Sequence, residues 1–149
     1  MQAKRSKFNV DKKTESRTFN GIIFDSVIEM KYYRDVVLPG IESGDIIGYE
    51  LQKTYQLQPA YIHLNKKIQP IEYKADFYLK YKNGKEVIID IKGCPDSVAI
   101  LKRKMFWYIF PELDYRWLVY VKKFGGWIDY DKCNCLRRAE KKRKRLCGD

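Results

Sequence analysis

Only one histidine, His63, occurs in 149 residues. A mechanism built on paired histidines is therefore disfavoured, and zinc would have to be held mainly by cysteine. There are four cysteines, Cys94, Cys133, Cys135 and Cys147. Cys133, Cys135 and Cys147 with either His63 or Cys94 make four donors, but their spacing does not follow the paired CxxC pattern of zinc sites. Zinc is not expected. No stretch approaches the ~20 consecutive apolar residues that span a bilayer. Met1 to Lys13 is polar and basic, so no secretory signal is read there. The chain reads as cytoplasmic, where free thiols are the expectation. No internal repeat is present. Acidic residues are scarce as well: 19 Asp and Glu against 30 Lys and Arg leave a net charge of +11. That excess points to a polyanionic partner, nucleic acid first and an acidic membrane surface second.

What is there argues for a folded chain. Hydrophobic residues make up 45% and aromatics 15%, and the length suits one domain with a real core. Residues 1–18 read as a basic lead-in, 19–131 as the folded domain and 132–149 as a basic tail. In that tail eight Lys or Arg residues meet two acids. Arg137, Arg138, Lys141, Lys142, Arg143, Lys144 and Arg145 are placed to hold phosphates without reading base sequence. A disordered, solubilising end is the alternative.

Within the domain, Phe19 to Phe24 reads as a short hairpin or an extended piece. Asp25-Ser26 opens a helix that Pro39-Gly40 stops near Leu38. Ile28, Tyr32, Tyr33 and Val36 fall at helical spacing and face the core. Ile46 to Leu57 is a strand, trailing past Pro59 as an irregular arm through Ile62. Residues 70–81 and 85–92 form a hairpin around Asn83-Gly84. Asp96 or Ser97 caps a second helix to about Phe110, with Ile100, Leu101, Met105, Tyr108 and Ile109 on its apolar face. Tyr115 to Val121 is a further strand and Trp127 to Tyr130 a short edge strand. Trp107, Trp117 and Trp127 are expected in packing roles. The order is helix, strand, strand, strand, helix, strand. It predicts an α/β (α+β) class in which helices flank a mixed sheet.

The chemistry is concentrated between Tyr73 and Gly93. Alternation sets Val87, Ile89 and Ile91 on one face and Ile88, Asp90 and Lys92 on the other. In the preceding strand Glu72, Lys74, Asp76 and Tyr78 share a face opposite Tyr73, Ala75 and Phe77. The hairpin then brings Asp76 towards Asp90 and Lys92. Two acids can hold Mg2+, with Mn2+ expected to substitute, and the Ile91 carbonyl is a further oxygen donor. Lys92 would stand beside the attacking water or the phosphate. The pattern points to phosphodiester hydrolysis, although an acid-x-Lys pair facing solvent on an edge strand also satisfies the spacing. Glu72 reads as an extra ligand or as a solvated strand residue.

Glu29 on an early helix, Asp76 in Ala75-Asp76-Phe77, and Asp90-Ile91-Lys92 on the next strand together resemble the PD-(D/E)XK nuclease superfamily. The segments FDSVIEMKYY, IEYKADFYLKY and VIIDIKG resemble a phage- and prophage-borne family within it, known as domain of unknown function 1064. This likeness runs from Phe19 to Tyr120. It implies a restriction-endonuclease-like α-β-β-β-α-β core, with Asp76 as the first-motif acid, Asp90 as the acid of the (D/E)XK element and Lys92 as its lysine. It matches Glu29 to the helical glutamate that reaches the metal in resolvase-like branches. Ser26-Val27-Ile28-Glu29 is at the same time a capping box, in which the glutamate serves the helix start. Two departures stand out: Ala75 replaces the proline of the name motif, and Asp90 is one methylene shorter than glutamate. The resemblance implies a polar residue of the following helix towards the phosphate, for which Lys102 is taken over Lys104; a solvated basic face is the alternative, since Lys102, Arg103 and Lys104 run round their helix and cannot all point inward. The implied activity is that of a Mg2+-dependent DNA endonuclease of phage or prophage DNA metabolism. A form resembling Holliday-junction resolvases would act on branched DNA as a homodimer. The alternative is a non-catalytic nucleic-acid-binding or accessory protein of a recombination complex on the same fold.

Overall fold

The computed structural model describes residues 13–147, so most of the basic lead-in, residues 1–12, lies outside the described residues. The chain forms two compact units, residues 1–48 and 49–149.

In the first unit, strands β1 (Thr18–Phe19) and β2 (Ile22–Ile23) pair antiparallel. Asn20 and Gly21 join them with φ of +49° and +76°, the left-handed pair that a two-residue hairpin turn requires. A helical stretch follows: α1 (Val27–Tyr32), a π-helical turn (Tyr33–Val37) and α2 (Leu38–Glu42). The expected stop at Pro39-Gly40 is overturned, because Pro39 sits in the first turn of α2. The widened π turn ahead of it takes up the missing N–H and relieves the clash of the ring with the preceding turn. It also inserts one residue into the helical phase. Val37, fully buried, therefore takes the core position expected for Val36 beside buried Tyr32 and Tyr33. Gly40 marks a close approach, since a Cβ there would stand 2.6 Å from Cδ1 of Ile46. The helix ends instead at Ser43 and Gly44, whose φ of +79° suits a helix C-terminus.

The second unit is an α+β arrangement around one mixed sheet. Its strands are β3 (Ile46–Gln58, the first three residues belonging to the first unit), β6 (Ile71–Tyr81), β7 (Glu86–Ile91), β8 (Asp114–Val121) and β9 (Gly126–Asp129), in the order β3-β6-β7-β8-β9. Between β3 and β6 the expected irregular arm is a regular hairpin of β4 (Tyr61–His63) and β5 (Lys66–Ile68). Strands β6 and β7 run antiparallel, β7 and β8 parallel, and β8 and β9 antiparallel. The parallel pair needs a crossover, which α3 (Ser97–Ile109) supplies. Asp96 caps that helix, its Oδ1 accepting the Ala99 N–H at 2.8 Å.

Leu57, Tyr73, Ala75, Ile88, Tyr115 and Trp117 form the core with Phe106 of α3. The Phe106 ring lies 4.5 Å from that of Tyr115 and 5.0 Å from that of Tyr55. The apolar face expected for α3 is corrected here. Ile100, Leu101, Tyr108 and Ile109 are exposed, while Phe106 is buried and Ala99, Met105 and Phe110 pack around it. The inward stripe runs Ala99, Arg103, Phe106, Phe110, and an arginine in it hides the stripe from a search for apolar residues alone. From Tyr130 to Cys147 the chain is an 18-residue helix, α4, so the tail is not an irregular end. No helix among the described residues is long and apolar enough to cross a membrane.

Candidate active site

Strand β7 lies between two neighbours, and Val87 to Ile91 are all buried. Asp90 is thereby carried into the interior, with 1% of its surface exposed. The β6–β7 register pairs Phe77 with Ile89 and Tyr78 with Ile88; one further step sets Asp76 opposite Asp90. At that step the ladder changes. The N–H of Ile91 donates to Oδ2 of Asp76 at 2.7 Å, so a side chain takes the bond that a backbone carbonyl would otherwise accept. On the other side the N–H of Lys92 still reaches the carbonyl of Leu118 on β8 at 2.9 Å. The two carboxylates thus sit where β6 and β7 part and β7 stays fastened to β8.

The alternation expected along β6 does not hold throughout. Tyr73 and Ala75 pack with Ile88, the residue that Tyr78 faces across the ladder. Strict alternation would place Tyr73 and Tyr78 on opposite faces. A one-residue slip near Asp76 brings Tyr73 onto the Asp90 side, where sequence alternation had not put it.

Lys92 Nζ stands 2.6 Å from Oδ2 of Asp90, with 26% of the lysine side chain exposed. The contact brings opposite charges together at the edge of the interior, and the Tyr73 hydroxyl faces the same carboxylate from within. Beneath them runs a chain of donors. Trp117 Nε1 donates to the Tyr115 hydroxyl at 2.5 Å, and Tyr115 donates to the Tyr73 hydroxyl at 2.6 Å. An indole N–H can only donate, which sets the direction of the chain and leaves the Tyr73 proton facing Asp90. Burial, then the Asp90 charge and Tyr115, push the Tyr73 hydroxyl far above the ordinary phenol range. Burial and Asp90 do the same to Tyr115. Both phenols therefore stay protonated as donors.

The cation that α3 brings inward is Arg103 rather than the expected Lys102. Its guanidinium lies 4.0 Å from the ring centroid of Trp117 and 4.5 Å from that of Trp107, and it pairs with Asp131 at 3.0 Å. Trp107 is half-exposed, stacked on Arg103 instead of sitting in the core. Lys102 is half-buried and takes part in none of these contacts, and Lys104 is exposed. Stacking on tryptophan and a carboxylate fork suit a planar guanidinium better than an ammonium. The missed signal was Trp107 one helical turn after Arg103, with Trp117 on the strand that follows.

Asp76, Asp90 and the Ile91 carbonyl are the oxygen donors available for a cation. No group of three or more His, Cys, Asp or Glu side chains converges among the described residues. Two carboxylates and a carbonyl nonetheless suit Mg2+, which keeps several waters. Asp90, 1% exposed and one ladder step from Asp76, is the buried charge that such an ion would balance. Glu29, in the first unit, is buried; Ser26 Oγ accepts its N–H at 3.2 Å and donates to its Oε1 at 2.8 Å. That is the helix-start role of the capping reading. Glu72 and His63 are exposed.

A family model described as "Protein of unknown function (DUF1064)" matches residues 5–126. The chain belongs to this family. No curated protein matches it. Within the DUF1064 match lie Asp76, Asp90, Lys92 and Arg103; α4 and most of β9 fall beyond it. Helix α4 carries the basic residues on two sides. Arg137, Arg138, Lys141 and Lys144 line one shallow groove with Asn134 and Glu140. Lys142, Arg143 and Arg145 are exposed elsewhere on the helix. Cys133 anchors α4 by burial, whereas Cys94, Cys135 and Cys147 are exposed; all four are free thiols.

Proposed function

We propose that this protein is a metal-dependent DNA endonuclease of the PD-(D/E)XK kind, acting in phage or prophage DNA metabolism. One observation carries the reading. A buried carboxylate, Asp90, partnered by an ammonium at 2.6 Å and by the Tyr73 hydroxyl, faces a second acid at the opening of the β6–β7 ladder. A chain that buries a charge is less stable for it, unless a ligand restores the balance. Mg2+ held by Asp76, Asp90 and the Ile91 carbonyl would acidify a water and polarise the phosphate.

The chain's own groups have separate tasks. Ile91 N–H fixes Asp76 at the opening of the ladder, beside Asp90. The Trp117–Tyr115–Tyr73 donor chain steadies Asp90 from below. Lys92, a quarter exposed, meets the phosphate and offsets the charge that builds up as the bond breaks. Arg103 holds Trp117 in place, and the groove of α4 takes phosphates farther along the duplex. Branched DNA is the first substrate to try, and symmetric cutting of a four-way junction requires two such sites in a homodimer.

The test incubates the protein with labelled linear, single-stranded, flap and four-way DNA in Mg2+, Mn2+ or EDTA. Cutting is expected in either metal and in neither EDTA nor the Asp90→Ala and Lys92→Ala variants. Tight binding with no cutting of any substrate would make the chain a non-catalytic binder instead.

A further inference from the structure

The β4–β5 hairpin leaves the sheet as an arm, pairing Tyr61 with Ile68, Ile62 with Lys67 and His63 with Lys66. Its turn is Leu64-Asn65, with φ of +46° and +64°. Asparagine accepts that conformation readily; leucine does not, because its Cβ crowds the following carbonyl. The Leu64 side chain is also 87% exposed. An apolar residue thus stands at the tip of the arm at a cost in both strain and solvation, where Asn or Gly would incur neither. Tyr61 and Ile62 are exposed behind it, and Lys66 and Lys67 are exposed on the return strand.

The arm joins β6 at Ile71, five residues before Asp76. At ~3.3 Å per residue that is about 17 Å of strand, or roughly five base-pair steps. Because β7 runs antiparallel to β6, the end of β7 that bears Asp90 and Lys92 is the end from which the arm departs.

We infer that the arm is a wedge for duplex DNA: Leu64 enters a base step and unstacks it, while Lys66 and Lys67 hold the flanking phosphates. This rests on the DNA reading above. An apolar tip covers base faces that unstacking exposes, and lysines beside it supply the attraction. A net charge of +11 favours a polyanionic occupant, whereas two copies of the arm would bring their lysines together.

The experiment uses Asp90→Asn protein, which leaves DNA uncut, and a duplex and a four-way junction carrying 2-aminopurine at successive steps. Binding should raise the fluorescence several-fold at one step. Adding Leu64→Asn should leave the Kd within about threefold, raise the Tm by a few degrees through relief of strain, and abolish the fluorescence rise. Lys66→Ala with Lys67→Ala should lower the salt slope by about two. Binding without unstacking, or unstacking that survives Leu64→Asn, overturns the wedge. So does a Leu64→Asn protein whose only change is its size on gel filtration, because the occupant is then a second copy. Unstacking by a protein whose wild type never cuts leaves the wedge standing and sinks the nuclease reading; cutting without unstacking does the reverse.

Discussion

Asp90→Asn separates a stabilising carboxylate from one kept for a ligand. The side chain is 1% exposed, and Tyr73 and Lys92 face its oxygens. Desolvating the charge costs several kcal/mol, and Lys92 at 2.6 Å offsets part of that. An amide of the same shape removes the charge, still accepts from Tyr73, and frees a lysine that is 26% exposed to turn into water. In EDTA the variant should therefore be more stable by about 1–2 kcal/mol, a rise in Tm of roughly 2–8 °C for a chain of this size. Adding Mg2+ reverses the order. At a hundred times its Kd the ion stabilises the wild type by about 2.7 kcal/mol and the variant hardly at all. Thermal denaturation of both proteins with EDTA, Mg2+ and Mn2+ reads all of this in one series. If Asn lowers stability in EDTA by more than about 2 kcal/mol, the carboxylate is a structural anchor. If the wild-type Tm ignores every divalent ion, no cation binds there.

Three further outcomes can be checked on the purified protein. Arg116, and secondarily Lys85, hold the Asp114 carboxyl below its ordinary value of 3.8. Its contribution is present above that value and lost as pH falls through the folded one, so Asp114→Asn should cost about 1 kcal/mol at pH 7 and progressively less as the pH falls below 3.8, by chemical denaturation. Gly40→Ala should destabilise by about 1–3 kcal/mol despite alanine's better helix propensity, since its Cβ would meet buried Ile46, and Ile46→Val, which removes Cδ1 but keeps Cγ1 at 2.9 Å, should recover only part of the loss. Arg137→Ala with Lys141→Ala, both in the α4 groove, should weaken DNA binding and lower its salt slope by about two in fluorescence anisotropy.

The sheet, its order of elements and the hairpin bearing both acids were legible because alternation and Asn83-Gly84 are strong local signals. What escaped has a physical cause in each case. Helical spacing named Val36 for the core, and a π turn moved the phase to Val37. Apolar counting assigned Ile100, Leu101, Tyr108 and Ile109 to the inner face of α3, because Arg103 interrupts the true stripe and is kept inside by stacking on Trp117. Leu64 is not a turn residue, so the arm read as irregular; Asn65 alone carried the signal. In α4 the charges masked a helix whose inner side rests on Tyr130 and Cys133.

The departures from local rules are not spread evenly. The β6–β7 ladder opens at Asp76, the alternation of β6 slips beside it, Asp90 carries a charge into the interior, and a leucine is strained at the tip of the arm entering β6. The first three lie at one end of the β6–β7 ladder, and the leucine lies in the separate β4–β5 hairpin that leads into that end. At the other end of the same strands, Leu79 pairs with Val87 and the Asn83-Gly84 turn closes with ordinary geometry. Packing defects scattered by drift would fall at both ends. The site proposed above would account for features that lower stability persisting where the charges meet, since such features are kept where they serve something else.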